Sequence, residues 1–298
     1  MAIAKRILLF FIINFLVVVT LSGILRFFPY FSSYHLQVKD LMFFCLVWGM
    51  GGSMILLFFS RGIAKMLMGV KLLSPLSPDP NTRSLFKMLE ELSAAAQLPR
   101  LPQLGIYPSR EVNAFATGPS KSKALIALSA GLTERLSSNE IKAILGHEIS
   151  HIANGDMVTM TLLQGIVNAF VMFLARILAY FLAGRNEKRR PSYLSYHLFT
   201  TLFEVFFMFL GSFAIAFFSR KREFQADRGG AMLAGKENMI EALRTLRILQ
   251  HIQDAGVNKQ AIAALKISAP IKNGLYRLLS THPSLEERIE RLSQNIPA

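Results

Sequence analysis

The sequence predicts an α-helical membrane protein carrying a mixed α+β polar part, and three observations lead there. The 298 residues are 52% hydrophobic with a mean hydropathy of +0.38, too apolar for an ordinary water-soluble domain. About four nearly uncharged segments are each long enough to cross a bilayer. Around them lie two polar blocks in which helical and strand periodicities alternate.

The first apolar segment covers residues 7–25, behind Lys5 and Arg6; with no small-residue cleavage site at its end, it reads as an uncleaved span. Residues 41–59 form the second, followed by Arg61, Lys65 and Lys71, so residues 1–60 make a transmembrane hairpin. A third starts at Met157, stays uncharged to Ala175 and continues past Arg176 to Ala183. The fourth, about residues 193–218, is interrupted by Glu204, and residues 157–218 are expected as a second hydrophobic hairpin. A charge at mid-bilayer is costly and faces protein or a water-filled cavity. Either the third and fourth segments pair with each other, or they are not simple spans.

In the polar block 61–156, residues 79–97 show helical apolar spacing at Leu85, Met88, Leu89 and Leu92. Residues 104–107, 112–117 and 124–129 are short β-like runs broken by Pro, Ser, Gly and Lys, which predicts a small sheet beside helices. Ser137 with Glu140 makes a capping box and Asn154-Gly155 supplies a stop, so residues 137–153 are helical. The last block, 219–298, reads as helical; its first stretch continues the fourth apolar segment and is expected to end at Gly229-Gly230.

Charge adds orientation. There are 33 Lys+Arg against 19 Asp+Glu, but the positive residues are dispersed and no aromatic-basic recognition motif accompanies them, so no nucleic-acid partner is expected. Eleven fall in residues 60–156 and thirteen in 219–298, which puts both blocks on the cytoplasmic side of a multi-pass protein of the inner (plasma) membrane. Four spans satisfy this, yet the loop 185–190, with four positive residues, then lies outside, against the same rule. The lone Cys45 sits in an apolar run and excludes an intramolecular disulfide.

The chemistry is concentrated in His147-Glu148-Ile149-Ser150-His151. Positions four apart share a helix face, so both imidazoles can reach one metal while Glu148 reaches the water that such a metal activates. Two histidines do not complete a catalytic zinc site, which takes three protein ligands and leaves a position for water. Glu223, in Ser219-Arg220-Lys221-Arg222-Glu223-Phe224-Gln225-Ala226-Asp227, is the candidate third ligand. Asp227 shares its face and could accept the outer N–H of a ligating histidine. Spacing alone leaves a second reading open, in which both acids are solvated and balance Arg220, Lys221, Arg222 and Arg228.

Several motifs in one order then resemble a known family. The stretch from Gly146 through His147 and His151 to Asn154-Gly155-Asp156, the stretch ending at Asp227, Asn113-Ala114-Phe115-Ala116-Thr117-Gly118, and Thr281-His282-Pro283-Ser284 with Arg288 are similar to the HtpX family of membrane-bound heat-shock zinc proteases, related to the CAAX prenyl endoproteases. The resemblance implies a gluzincin-like metalloprotease domain and one Zn2+ per chain. His147, His151 and Glu223 match the family's ligands, Glu148 its general base and Asp227 its supporting acid. Asn113, Ala114 and Phe115 match an edge strand that pairs with extended substrate, a sequence-tolerant binding mode. His282 and Arg288 match a pair near the metal, where His282 would supply an oxyanion donor; from the residues alone they also read as a surface turn and an acidic helix. The resemblance further implies misfolded or damaged membrane proteins as substrates, cleaved in quality control and stress response. Rival readings are trimming of lipidated C-termini, a closed structural zinc site, and a transporter built around Arg176 and Glu204. No residue speaks to the oligomeric state.

Overall fold

The computed structural model describes residues 38–183, 193–256 and 282–295. The expected span at residues 7–25, the basic loop 185–190 and residues 257–281 lie outside the described residues. In order, the elements are α1 (Val38–Met68), β1 (Lys71–Leu72), α2 (Pro80–Ala95), β2 (Gln103–Tyr107), β3 (Ala114–Thr117), a 3-10 turn (Lys121–Lys123), β4 (Leu125–Ser129), α3 (Ala130–Arg135), α4 (Ser138–Asn154), α5 (Asp156–Ala183), α6 (Tyr193–Ala234), α7 (Lys236–Gly256) and α8 (Leu285–Asn295).

The described residues fall into two units. One is drawn from α1 up to Leu56, α5 from Met160 and α6 up to Phe218; the other begins at Leu57 and holds the sheet and the remaining helices. Among the described residues, three helices are long and apolar enough to cross a membrane: Val38–Met68, Asp156–Ala183 and Leu194–Ala234. The chain is thus a multi-pass membrane protein. Within this first unit the two interrupting charges meet, Arg176 Nη1 lying 3.1 Å from Glu204 Oε1 and 2.9 Å from the Met172 carbonyl. Both residues are buried, so the pairing removes the objection that an isolated charge would raise in lipid. Cys45 is buried against Phe44 and Met172, as inert packing.

In the second unit the sheet order is β1-β2-β4-β3. Strands β2 and β4 are parallel, while β1 and β3 run antiparallel to their neighbours and form the two edges. Strand β4 is apolar on both faces and fully buried, as a central strand should be. Helix α2 starts where Asp79 accepts the amides of Asn81 and Thr82, and it buries Leu85, Phe86, Leu89 and Leu92 in one core with Leu104, Ile126, Leu128, Leu145 and Ile149. The two-residue strand β1 carries too little pattern to be read from sequence.

The expected helix stop at Gly229-Gly230 is corrected: α6 runs through both glycines to Ala234. A side chain at Gly229 would meet Ser150, one at Gly230 would meet the His147 backbone, and Gly146 faces Gly230 from the other side. The glycines serve close approach of α6 to α4, not termination.

Candidate active site

Helix α4 is built as its sequence dictates. Ser137 accepts the Glu140 amide, and the Glu140 carboxylate accepts the Ser137 N–H at 2.7 Å, closing the capping box. At the other end Gly155 takes the left-handed conformation (φ 73°), and its N–H bonds back to Ile152. Between these caps His147, Glu148 and His151 are all buried. The close crossing at Gly146, Gly229 and Gly230 sets α6 beside them, and Glu223 stands two helical turns before that crossing, 1% exposed.

The resulting geometry is tight. His147 Nε2 and His151 Nε2 are 3.1 Å apart, and Glu223 lies 3.7 Å from the first and 3.4 Å from the second. One donor atom from each of the three falls within 4.8 Å of the others. Glu223 Oε1 is buried with no well-formed hydrogen bond, its nearest cationic groups being His151 Nε2 at 3.4 Å and Arg222 Nη2 at 3.5 Å, and a bound cation would satisfy it better. Two imidazoles and a carboxylate are also the donor set that zinc takes in three-ligand catalytic sites. The residues therefore fit a divalent metal.

Behind the histidines stand two more carboxylates. Asp227 Oδ1 is 3.0 Å from His147 Nδ1, and Arg288 Nε donates to Asp227 Oδ2 at 2.7 Å. Asp156 Oδ2 is 2.6 Å from His151 Nδ1. Burial pushes the His151 imidazole down, but Asp156 and Glu223 outweigh it and carry it up to about 9. Burial likewise opposes ionisation of Glu223, yet the His282 charge and hydrogen bonds from His151 and His282 hold its carboxyl well below the usual range. At Asp227 the Arg288 guanidinium overcomes burial in the same sense.

His282 also arrives here, its Nδ1 2.8 Å from Glu223 Oε2, with its side chain 54% exposed. Arg288 on α8 reaches Glu223 at 3.9 Å and is buried. The structure thus gathers His147, His151, Glu148, Glu223, Asp227, His282 and Arg288 in one unit. Asn113 immediately precedes edge strand β3, which Ala114 and Phe115 open; the strand packs on α4, the helix that carries His147 and His151, and Ala114 and Ala116 pack against the core. The Asn113 N–H donates to the Ser129 hydroxyl at 3.0 Å and the Asn113 carbonyl accepts the Ser129 N–H at 2.9 Å, and the tilted Phe115 and Tyr107 rings lie 5.6 Å apart. Asp156 went without a role in the sequence reading. Its one sequence signal is an acid placed immediately after the Asn-Gly stop.

A membrane metalloprotease is the class that this fold and this donor cluster define. The profile of peptidase family M48 matches residues 79–296. A "Protease HtpX homolog" of Bacillus subtilis (strain 168) is 44% identical, over 97% of this chain and 99% of its own. The "Protease HtpX" of Pseudomonas putida (strain KT2440) is 42% identical over 97% and 99%. Among solved structures, S. mikatae Ste24p shares the fold at a TM-score of 0.62 and 21% identity; the match covers 98% of this chain and 63% of that longer one. The chain belongs to peptidase family M48 and, within it, to the HtpX proteases.

Proposed function

We propose that the chain is a zinc-dependent endopeptidase of the inner membrane that cleaves misfolded or damaged membrane proteins at the cytoplasmic face. The observation that carries this reading is the convergence of His147, His151 and Glu223, all three buried, with one donor atom from each within 4.8 Å of the others. These three residues would hold one zinc ion, which when bound polarises the scissile carbonyl and eases deprotonation of the attacking water. Glu148 takes the proton from that water and delivers it to the leaving amine. His282, reaching Glu223 from an exposed position, is a donor for the developing oxyanion, and Arg288 keeps Asp227 and with it His147 in register. Strand β3, an edge of the sheet among the described residues and preceded by Asn113, offers backbone groups at Ala114 and Phe115 to an extended substrate.

The cytoplasmic assignment rests on the lysines and arginines of the two polar blocks. His151 precedes the third apolar segment by only a few residues and Glu223 follows the fourth as closely, which favours substrates presented near the bilayer. Quality control of membrane proteins under stress is the role this suits. Glu148→Gln, purified in detergent with zinc and offered an unfolded membrane protein, is expected to lose cleavage while keeping its metal. A variant that cleaves as well as the parent overturns the assignment.

A further inference from the structure

We propose that Asp156 is a positioning residue for the metal centre: its carboxylate holds the Nδ1–H of His151, which turns the Nε2 lone pair of that ring toward Glu223 and His147. The inference rests on the metal reading above. An imidazole on a helix can rotate about its terminal torsion and exists in two neutral tautomers, so a ligand histidine needs a fixed acceptor on its outer nitrogen. Asp156 meets that need at 2.6 Å, with both side chains buried. The arrangement repeats at His147, whose Nδ1 faces Asp227 at 3.0 Å. Each histidine thus has its own carboxylate on the side away from Glu223.

The turn that delivers Asp156 is built for this purpose. Gly155 adopts a backbone that side chains disfavour, reversing the chain within one residue of α4. Lys121 Nζ, from the 3-10 turn between β3 and β4, donates to the Ala153 carbonyl and straps the same turn from outside. Asp156 does not cap its own helix: the amides of Val158 and Thr159 bond to the Gly155 carbonyl instead, leaving the carboxylate to His151. Since Asp156 is the first residue of α5, the orientation of His151 depends on the first turn of a helix that continues into an apolar segment.

The test is zinc affinity of the full-length protein in detergent, stripped of metal and titrated against a chromophoric chelator, with the visible spectrum of the cobalt-substituted form as a second readout. Asp156→Asn is expected to weaken zinc binding ten- to a hundredfold and to alter the cobalt spectrum. Glu140→Gln, which weakens the opposite end of α4, lowers thermal stability and leaves both readouts unchanged. Parental affinity and spectrum in Asp156→Asn overturn the proposal. If that variant does not fold, Lys121→Met loosens the same turn, and the expected result is a smaller loss of affinity; parental affinity there overturns the proposal. A parent that takes up no zinc overturns the metal reading itself.

Discussion

Gly230 of α6 lies so close to His147 of α4 that a Cβ added to it would stand 2.9 Å from the His147 nitrogen and 3.1 Å from its Cα. The contact is helix backbone against helix backbone, so no rotamer change relieves it. This crossing sets the distance between the histidine pair and the helix that carries Glu223.

Gly230→Ala should therefore destabilise the protein, although alanine favours helix by about 1 kcal/mol. Overpacking of this kind costs about 1–3 kcal/mol, and the strain falls on the His147 backbone. The expected outcome is a lower unfolding temperature together with weaker zinc binding. At Gly229 the new Cβ meets the Ser150 side chain instead, so Gly229→Ala paired with Ser150→Gly should recover most of the loss.

Arg288 and Asp227 form a buried, two-point ion pair with contacts of 2.7 and 2.5 Å. Removing one partner strands a charge in a dry site, so Arg288→Met should cost about 3–5 kcal/mol. Adding Asp227→Asn removes the stranded charge and should restore part of it. Denaturant titration of the two single variants and the double variant gives the coupling energy; additive losses would contradict the pairing.

Stability should respond to acid through Glu140. Burial pushes its carboxyl up, but hydrogen bonds from Thr245 and Ser137 prevail, and its folded value lies below the ordinary 4.5. A depressed carboxyl contributes stability that is complete above the unfolded value and lost as pH falls through the folded one. Glu140→Gln, which can still close the capping box but loses the charge that Thr245 and Ser137 favour, should accordingly be less stable than the parent at pH 7. The gap should close as both are acidified below the folded value.

Zinc should raise the unfolding temperature, since a ligand at a hundredfold excess over its dissociation constant adds about 2.7 kcal/mol. Chelation should reverse the shift. His147→Ala with His151→Ala should show none.

Helix α4 was legible because its signals are local: Ser137 and Glu140 at one end, Asn154-Gly155 at the other, and two histidines one turn apart between them. The buried runs of β2 and β4 were equally plain, as was edge strand β3 in its resemblance to a known motif. Gly229-Gly230 misled for the opposite reason. Locally a glycine pair ends a helix, but here the gain comes from a neighbour eighty residues away in sequence that admits no side chain. Asp156 belongs to the matched motif yet takes no role from its spacing, because it follows a stop signal and no periodicity tells that the chain past a stop folds back onto the last turn it has just left.

The long interval between the candidate ligands has a consequence for how the enzyme is made. Glu223 emerges from the ribosome 72 residues after His151, about 4–14 seconds later at ordinary elongation rates. Arg288 follows after another 65 residues. Two apolar segments must be synthesised between the histidines and their acidic partner, so a nascent chain carries the paired histidines without the groups that complete the site. The order of residues along the chain therefore withholds the acidic partner of the proposed site until both intervening apolar segments have been made.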